Sequence, residues 1–165
     1  MRPLCFTFLF LFSLAGFSQD TIYIKLYPKD TLNPIASDFA GLSFEKNCLN
    51  KGYFGPSEST LIRFFKTCGI KSMRVGGDEV DIVTLGPDPT DKHFTKAELD
   101  SLFLFADSAG CKVLLGLNLR YNNPPLADTE ANYVIQNHPG QLFGFEVGNE
   151  PDKYVEHLYR IPPPA

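Results

Sequence analysis

A chain of 165 residues with 15 Lys and Arg against 19 Asp and Glu has a formal net charge of −4, and 44% of it is hydrophobic. This is enough sequence for one buried core, and with no basic cluster to track phosphates it excludes nucleic acid as a partner. Cys48, Cys68 and Cys111 are too widely spaced for a disulfide framework or a zinc site. They read as small buried apolar thiols, with at most one bridge among them.

Residues 1–18 read as an export signal. Arg2 is a minimal basic start, Leu4 to Phe12 is an apolar run broken by Thr7, and Gly16 and Ser18 stand where a signal peptidase prefers small residues. Cleavage is expected between Ser18 and Gln19, which leaves 147 residues and, with Arg2 gone, a net charge of about −5. A membrane anchor is the competing reading, but the run is shorter than the roughly 20 apolar residues a bilayer requires. The expectation is a secreted or periplasmic protein without stable membrane insertion.

Next, Thr21 to Tyr27 alternates polar and apolar residues up to Pro28. That period predicts a strand of a small accessory sheet within residues 19–36. From residue 37 onward short apolar runs alternate with amphipathic segments. Phe39 to Phe44 is a predicted strand. A helix opens at Pro56-Ser57, with Leu61, Ile62, Phe64 and Phe65 on its apolar side and Gly69 as its stop.

The second strand is Ser72 to Val75. A second helix starts at Thr95, which stands at capping-box spacing from Glu98; it has Leu99, Leu102, Phe103 and Ala106 as its stripe and ends at Gly110. Lys112 to Leu117, almost wholly apolar, is the third strand, Ala127 to Asn137 a weaker helix, and Leu142 to Val147 the fourth strand. The intervals from Gly41 to Gly76, Gly116 and Gly148 are 35, 40 and 32 residues. These suit successive βα units of a parallel sheet.

The predicted class is therefore α/β, with about four βα units over residues 37–160, half of a (β/α)8 barrel. An open four- or five-stranded sheet is the alternative, but Gly76-Gly77 is a bare pair and not a dinucleotide fingerprint. Tyr154 to Tyr159 begins a fourth helix that Pro162-Pro163-Pro164 cannot continue. Residues 161–165 accordingly read as a truncated or frame-disrupted tail, with a C-terminal half missing.

Each predicted strand runs into hydrogen-bonding residues: Glu45, then Asp78 and Glu79, then Asn118 and Arg120, then Asn149 and Glu150. Any one of these could be a helix cap. Four at the same level of a parallel sheet suggest a polar cleft. The sharpest segment is Phe145-Glu146-Val147-Gly148-Asn149-Glu150-Pro151. Glycosidic cleavage needs a carboxylic acid to protonate the leaving oxygen, with a second carboxylate nearby, and an Asn beside the acid can bond the sugar 2-hydroxyl. Pro151 biases Glu150 away from helical angles. Glu146, within the strand, is expected to pair with Arg74 or Arg120 and not to be catalytic.

Gly148-Asn149-Glu150-Pro151 resembles the fourth-strand acid/base motif of retaining (β/α)8 glycosidases. With Leu42-Ser43-Phe44-Glu45, Met73-Arg74-Val75-Gly76-Gly77-Asp78 and Gly116-Leu117-Asn118, it appears in the order and spacing of glycoside hydrolase family 79, the heparanase and β-glucuronidase group. The similarity spans roughly residues 39–154. It implies a retaining glycosidase with Glu150 as acid/base and Asn149 as partner of the sugar 2-hydroxyl, and it places Glu45, Asp78 and Asn118 around the sugar. Its expected partner is an oligo- or polysaccharide, with no metal or organic cofactor. The family's nucleophile comes from a seventh strand that these residues do not contain. A chain inactive by itself is therefore expected, with a carbohydrate-binding or pairing half-barrel as the alternative.

Overall fold

The computed structural model describes residues 22–29, 33–55, 57 and 59–156. The segment read as an export signal and the tail over residues 161–165 lie outside the described residues. Residues 22–29, 33 and 34 fall in a first unit, and Ile35 begins a second.

In the first unit the expected strand is not formed: residues 22–27 belong to no strand, and both alternating sets of side chains are exposed, with Ile22 at 83% and Tyr23 at 89%. A period-two pattern specifies a face, but a strand exists only where a second strand accepts its hydrogen bonds.

The second unit is a mixed α/β layer structure. Four strands, β1 (Gly41–Glu45), β2 (Ser72–Gly76), β5 (Lys112–Leu117) and β6 (Leu142–Val147), form a parallel sheet in the order β1-β2-β5-β6. Three helices connect them: α1 (Ser59–Cys68), α2 (Lys96–Ala109) and α3 (Pro124–Asn137). Two further strands, β3 (Thr84–Leu85) and β4 (His93–Phe94), pair with each other in the β2–α2 connection. At two residues each they are too short to show a period.

Local chemistry explains the helix ends. Thr95 and Glu98 close the expected capping box on α2, and Gly110, left-handed at φ 72°, ends it. Gly69 ends α1 with φ 67°, and Ile70 N–H returns to Phe65 O at 2.9 Å. The third helix starts earlier than expected. Asn123 accepts from Leu126 N–H as its cap, and Pro124-Pro125 fill the first turn, where a missing N–H costs nothing. On α1, Leu61, Ile62 and Phe65 pack into the core, whereas Phe64 is half-exposed at the flank of the stripe.

The winding of the sheet decides which face is covered. Each strand adds on the same side of the one before it, so right-handed crossovers put every helix on one face; a doubly wound sheet must reverse direction to cover both. The side chains follow this rule. Met73, Val75, Val113 and Leu115, with Leu42, Phe44, Leu142 and Phe145 around them, join Phe65, Leu99, Leu102, Phe103, Phe105 and Val134 in one core. Among the described residues no helix covers the opposite face, which carries Ser43, Arg74, Leu114 and Glu146. A register shift at Val113/Leu114 places Phe143 there as well, 61% exposed. A groove of about 390 Å³ on this face is lined by Gly41, Ser43, Ser72, Arg74, Leu114 and Phe143.

Of the three cysteines read as buried, Cys48 and Cys111 are, and Cys68 is exposed on α1; all three are free. Burial pushes the Cys111 thiol up to about 11. Among the described residues no helix is long and apolar enough to cross a membrane.

Candidate active site at the strand ends

Because the four strands are parallel, their C-terminal ends share one edge of the layer. Glu45 closes β1, and Asp78 opens a 3-10 turn (Asp78–Asp81) after β2. Asn118 follows β5, and Asn149 and Glu150 follow β6. Glu45, Asp78 and Glu150 are exposed, and Asn149 is half-buried.

Asn149 is the best-determined group of the four. Its Oδ1 accepts from Arg74 Nη2 at 2.9 Å and its Nδ2 donates to Asp78 Oδ1 at 2.9 Å. A guanidinium only donates and a carboxylate only accepts, so the amide has one orientation, with one Nδ2–H left over. Arg74 is held in turn by Glu146, through Nε to Oε2 at 2.6 Å and Nη2 to Oε1 at 2.5 Å. This is the ion pair expected for Glu146, made with Arg74. Those hydrogen bonds, against some desolvation, hold Arg74 further in its charged form, and the fields of Glu146, Glu45 and Asp78 add to it. One cation thus ties β2 to β6 and sets the amide beside Glu150.

Glu45 folds over the backbone of the next strand end, its Oε2 accepting from Glu79 N–H at 3.0 Å. Gly77 makes room for it. At φ 68°, ψ −161° it occupies a region essentially restricted to glycine, and a Cβ there would meet the Glu45 carboxylate. Gly77→Ala should lower stability by about 1–3 kcal/mol and release Glu45 from Glu79. Urea unfolding and the Glu79 amide shift would check the two parts, and unchanged values for both would contradict this account.

Asn118 is buried, donating from Nδ2 to Val80 O at 3.2 Å and accepting from Tyr121 N–H at 3.0 Å. Both ends of its amide thus bond the loops that flank the strand end. Glu150 has φ 45°, ψ 56°, the left-handed region, and not the extended backbone that a following proline favours. A non-glycine residue held there stores local strain, which recurs at functional sites.

Three buried charged groups, Asp81, Lys46 and Glu130, were not singled out in the sequence. Asp81 is 1% exposed within the turn after β2. Lys46, fully buried just after β1, donates to Glu130 Oε1 at 2.7 Å and to Gly116 O at 2.7 Å. Burial raises the Glu130 carboxyl above its usual range, and Lys46 pulls it back. Among the described residues no three His, Cys, Asp or Glu side chains gather as a metal site would require. No protein-family model matches this chain, and no curated protein matches it.

Proposed function

We propose that this chain is the first half of a retaining (β/α)8 glycosidase, similar to glycoside hydrolase family 79, with Glu150 as its acid/base. The observation that carries the reading is the Glu146–Arg74–Asn149–Asp78 chain of hydrogen bonds, which fixes an amide next to an exposed carboxyl at the C-terminal edge of parallel strands. Support also comes from the sheet's winding. A sheet with helices on one face only leaves its other face for a barrel interior, and barrel enzymes place their chemistry at this edge.

In this reading the spare Nδ2–H of Asn149 bonds the sugar 2-hydroxyl, and Glu45 and Asp78 line the same subsite. Glu150 protonates the leaving oxygen and then activates water. The second carboxylate, from the seventh strand in the family resembled, comes from outside residues 1–165. A β-linked uronic acid or neutral sugar is the substrate class, and the protein acts after export.

The test is an NMR titration of the exported chain with methyl β-glucuronide and methyl β-glucoside. Shifts should concentrate at Glu45, Asp78, Asn149 and Glu150, and Asn149→Ala should weaken binding about tenfold, the upper end for one neutral hydrogen bond. Binding centred elsewhere, or none with either sugar, would overturn the reading.

A further inference from the structure

We propose that Asp81 is a positioning residue that clasps the ends of β5 and β6 and thereby holds Asn149 and Glu150 in their working geometry. Its role at the site rests on the glycosidase reading, but the clasp itself does not. The carboxylate is buried and uses both oxygens. Oδ1 accepts from Leu119 N–H at 3.0 Å and Arg120 N–H at 3.1 Å, both just beyond β5. Oδ2 accepts from Asn149 N–H at 3.0 Å and from the Tyr154 hydroxyl at 2.5 Å, on either side of Glu150.

Four donors from two segments on one buried carboxylate are more than solubility or capping demands. The 3-10 turn explains how one short segment does this. Residues i and i+3 eclipse in that geometry, so Asp78 and Asp81 fall on one side of the turn: Asp78 takes the Asn149 side chain and Asp81 its backbone. Asn149 is therefore held at three atoms.

The segment it holds needs holding. Gly148 and Glu150 both have positive φ, at 71° and 45°. Lys153 N–H closes onto Glu150 O at 2.8 Å, and Tyr154 is 2% exposed beneath Gly148. A Cβ on Gly148 would collide with the Tyr154 hydroxyl and crowd Leu119 Cβ at 2.8 Å. Strained backbone persists only where its surroundings over-determine it, and the Asp81 clasp does so on both sides of Glu150.

The experiment compares the exported chain with its Asp81→Asn and Tyr154→Phe variants. An Asn keeps the shape but turns an N–H toward two of the donors, whereas the Phe variant removes one bond and leaves the carboxylate three, so it should fold even where Asp81→Asn does not. Amide hydrogen exchange at Asn149 should be at least about tenfold faster, about 1.4 kcal/mol of local opening, with Val113 and Leu115 unchanged. The Glu150 backbone carbon shifts, which report its left-handed conformation, should move, and affinity for the sugar should fall in step. A variant that folds and keeps wild-type Asn149 exchange and Glu150 shifts overturns the proposal. Faster exchange and moved shifts in a chain that binds no sugar would sustain the clasp and sink the glycosidase reading instead.

Discussion

Lys46→Met should cost about 3–5 kcal/mol at neutral pH, the usual penalty for breaking a buried ion pair from one side. Lys46 is fully buried and Glu130 is 2% exposed, so the carboxylate left behind could not recover solvation without opening α3 from the sheet. The loss should depend on pH in a defined sense. Burial already raises Glu130, and Lys46 is what pulls it back. Removing Lys46 sends the folded-state value further up, so over that window the folded variant binds a proton that the unfolded chain does not. Stability of the variant must then fall as pH rises above the ordinary glutamate range, about 4.3; its deficit against wild type opens above the already raised Glu130 value of the wild type and is smallest below it. Urea unfolding at pH 4 and pH 7 would show this. Lys46→Met/Glu130→Leu should recover most of the loss, because two apolar groups of similar size leave no charge behind. A pH-independent deficit, or a double variant as weak as the single one, would contradict the account.

Neither Lys46 nor Glu130 announced itself in the sequence, and the reason is physical. Each sits among residues of ordinary surface composition, 84 positions apart, and only the crossover from β1 through β5 to α3 brings them together. Asp81 escaped for the same reason, since its partners come from two strand ends remote in sequence. Its neighbour Asp78 was legible only because it follows paired glycines. Local signals did better. The capping box at Thr95, the glycine stops and the apolar run of β5 each rest on a few adjacent residues, and each has its element in the structure. The alternating run has the same kind of local signal, but its described residues 22–27 form no strand, because pairing is a property of two segments and periodicity a property of one. At β6, Glu146 was expected to pair with Arg74 or Arg120, and it pairs with Arg74 on the open face. The register shift that turns Phe143 to that face could not be read from spacing at all.

On the glycosidase reading, the largest effect on chemistry is expected from Glu150→Gln, in an enzyme completed by strands that would carry the second carboxylate. Removing the proton donor should lower kcat/KM for a substrate with a poor leaving group by about 10²–10⁴-fold, or about 3–5 kcal/mol in the barrier. A substrate whose leaving group departs without protonation should be attacked nearly as fast as by the wild type, because the nucleophile is untouched. Its turnover should then stall at the glycosyl intermediate, where Glu150 would have served as base. The contrast between the two substrates is what separates an acid/base from a residue that merely shapes the subsite. Loss of a sugar contact would slow both alike, as expected for Asp78→Asn or for Glu45→Gln. The pH profile should change too, since the limb that reports deprotonation of the acid disappears with it. Measured over a series of aryl β-glycosides, equal losses for good and poor leaving groups would remove Glu150 from the acid/base role, and full activity toward both would remove it from the site.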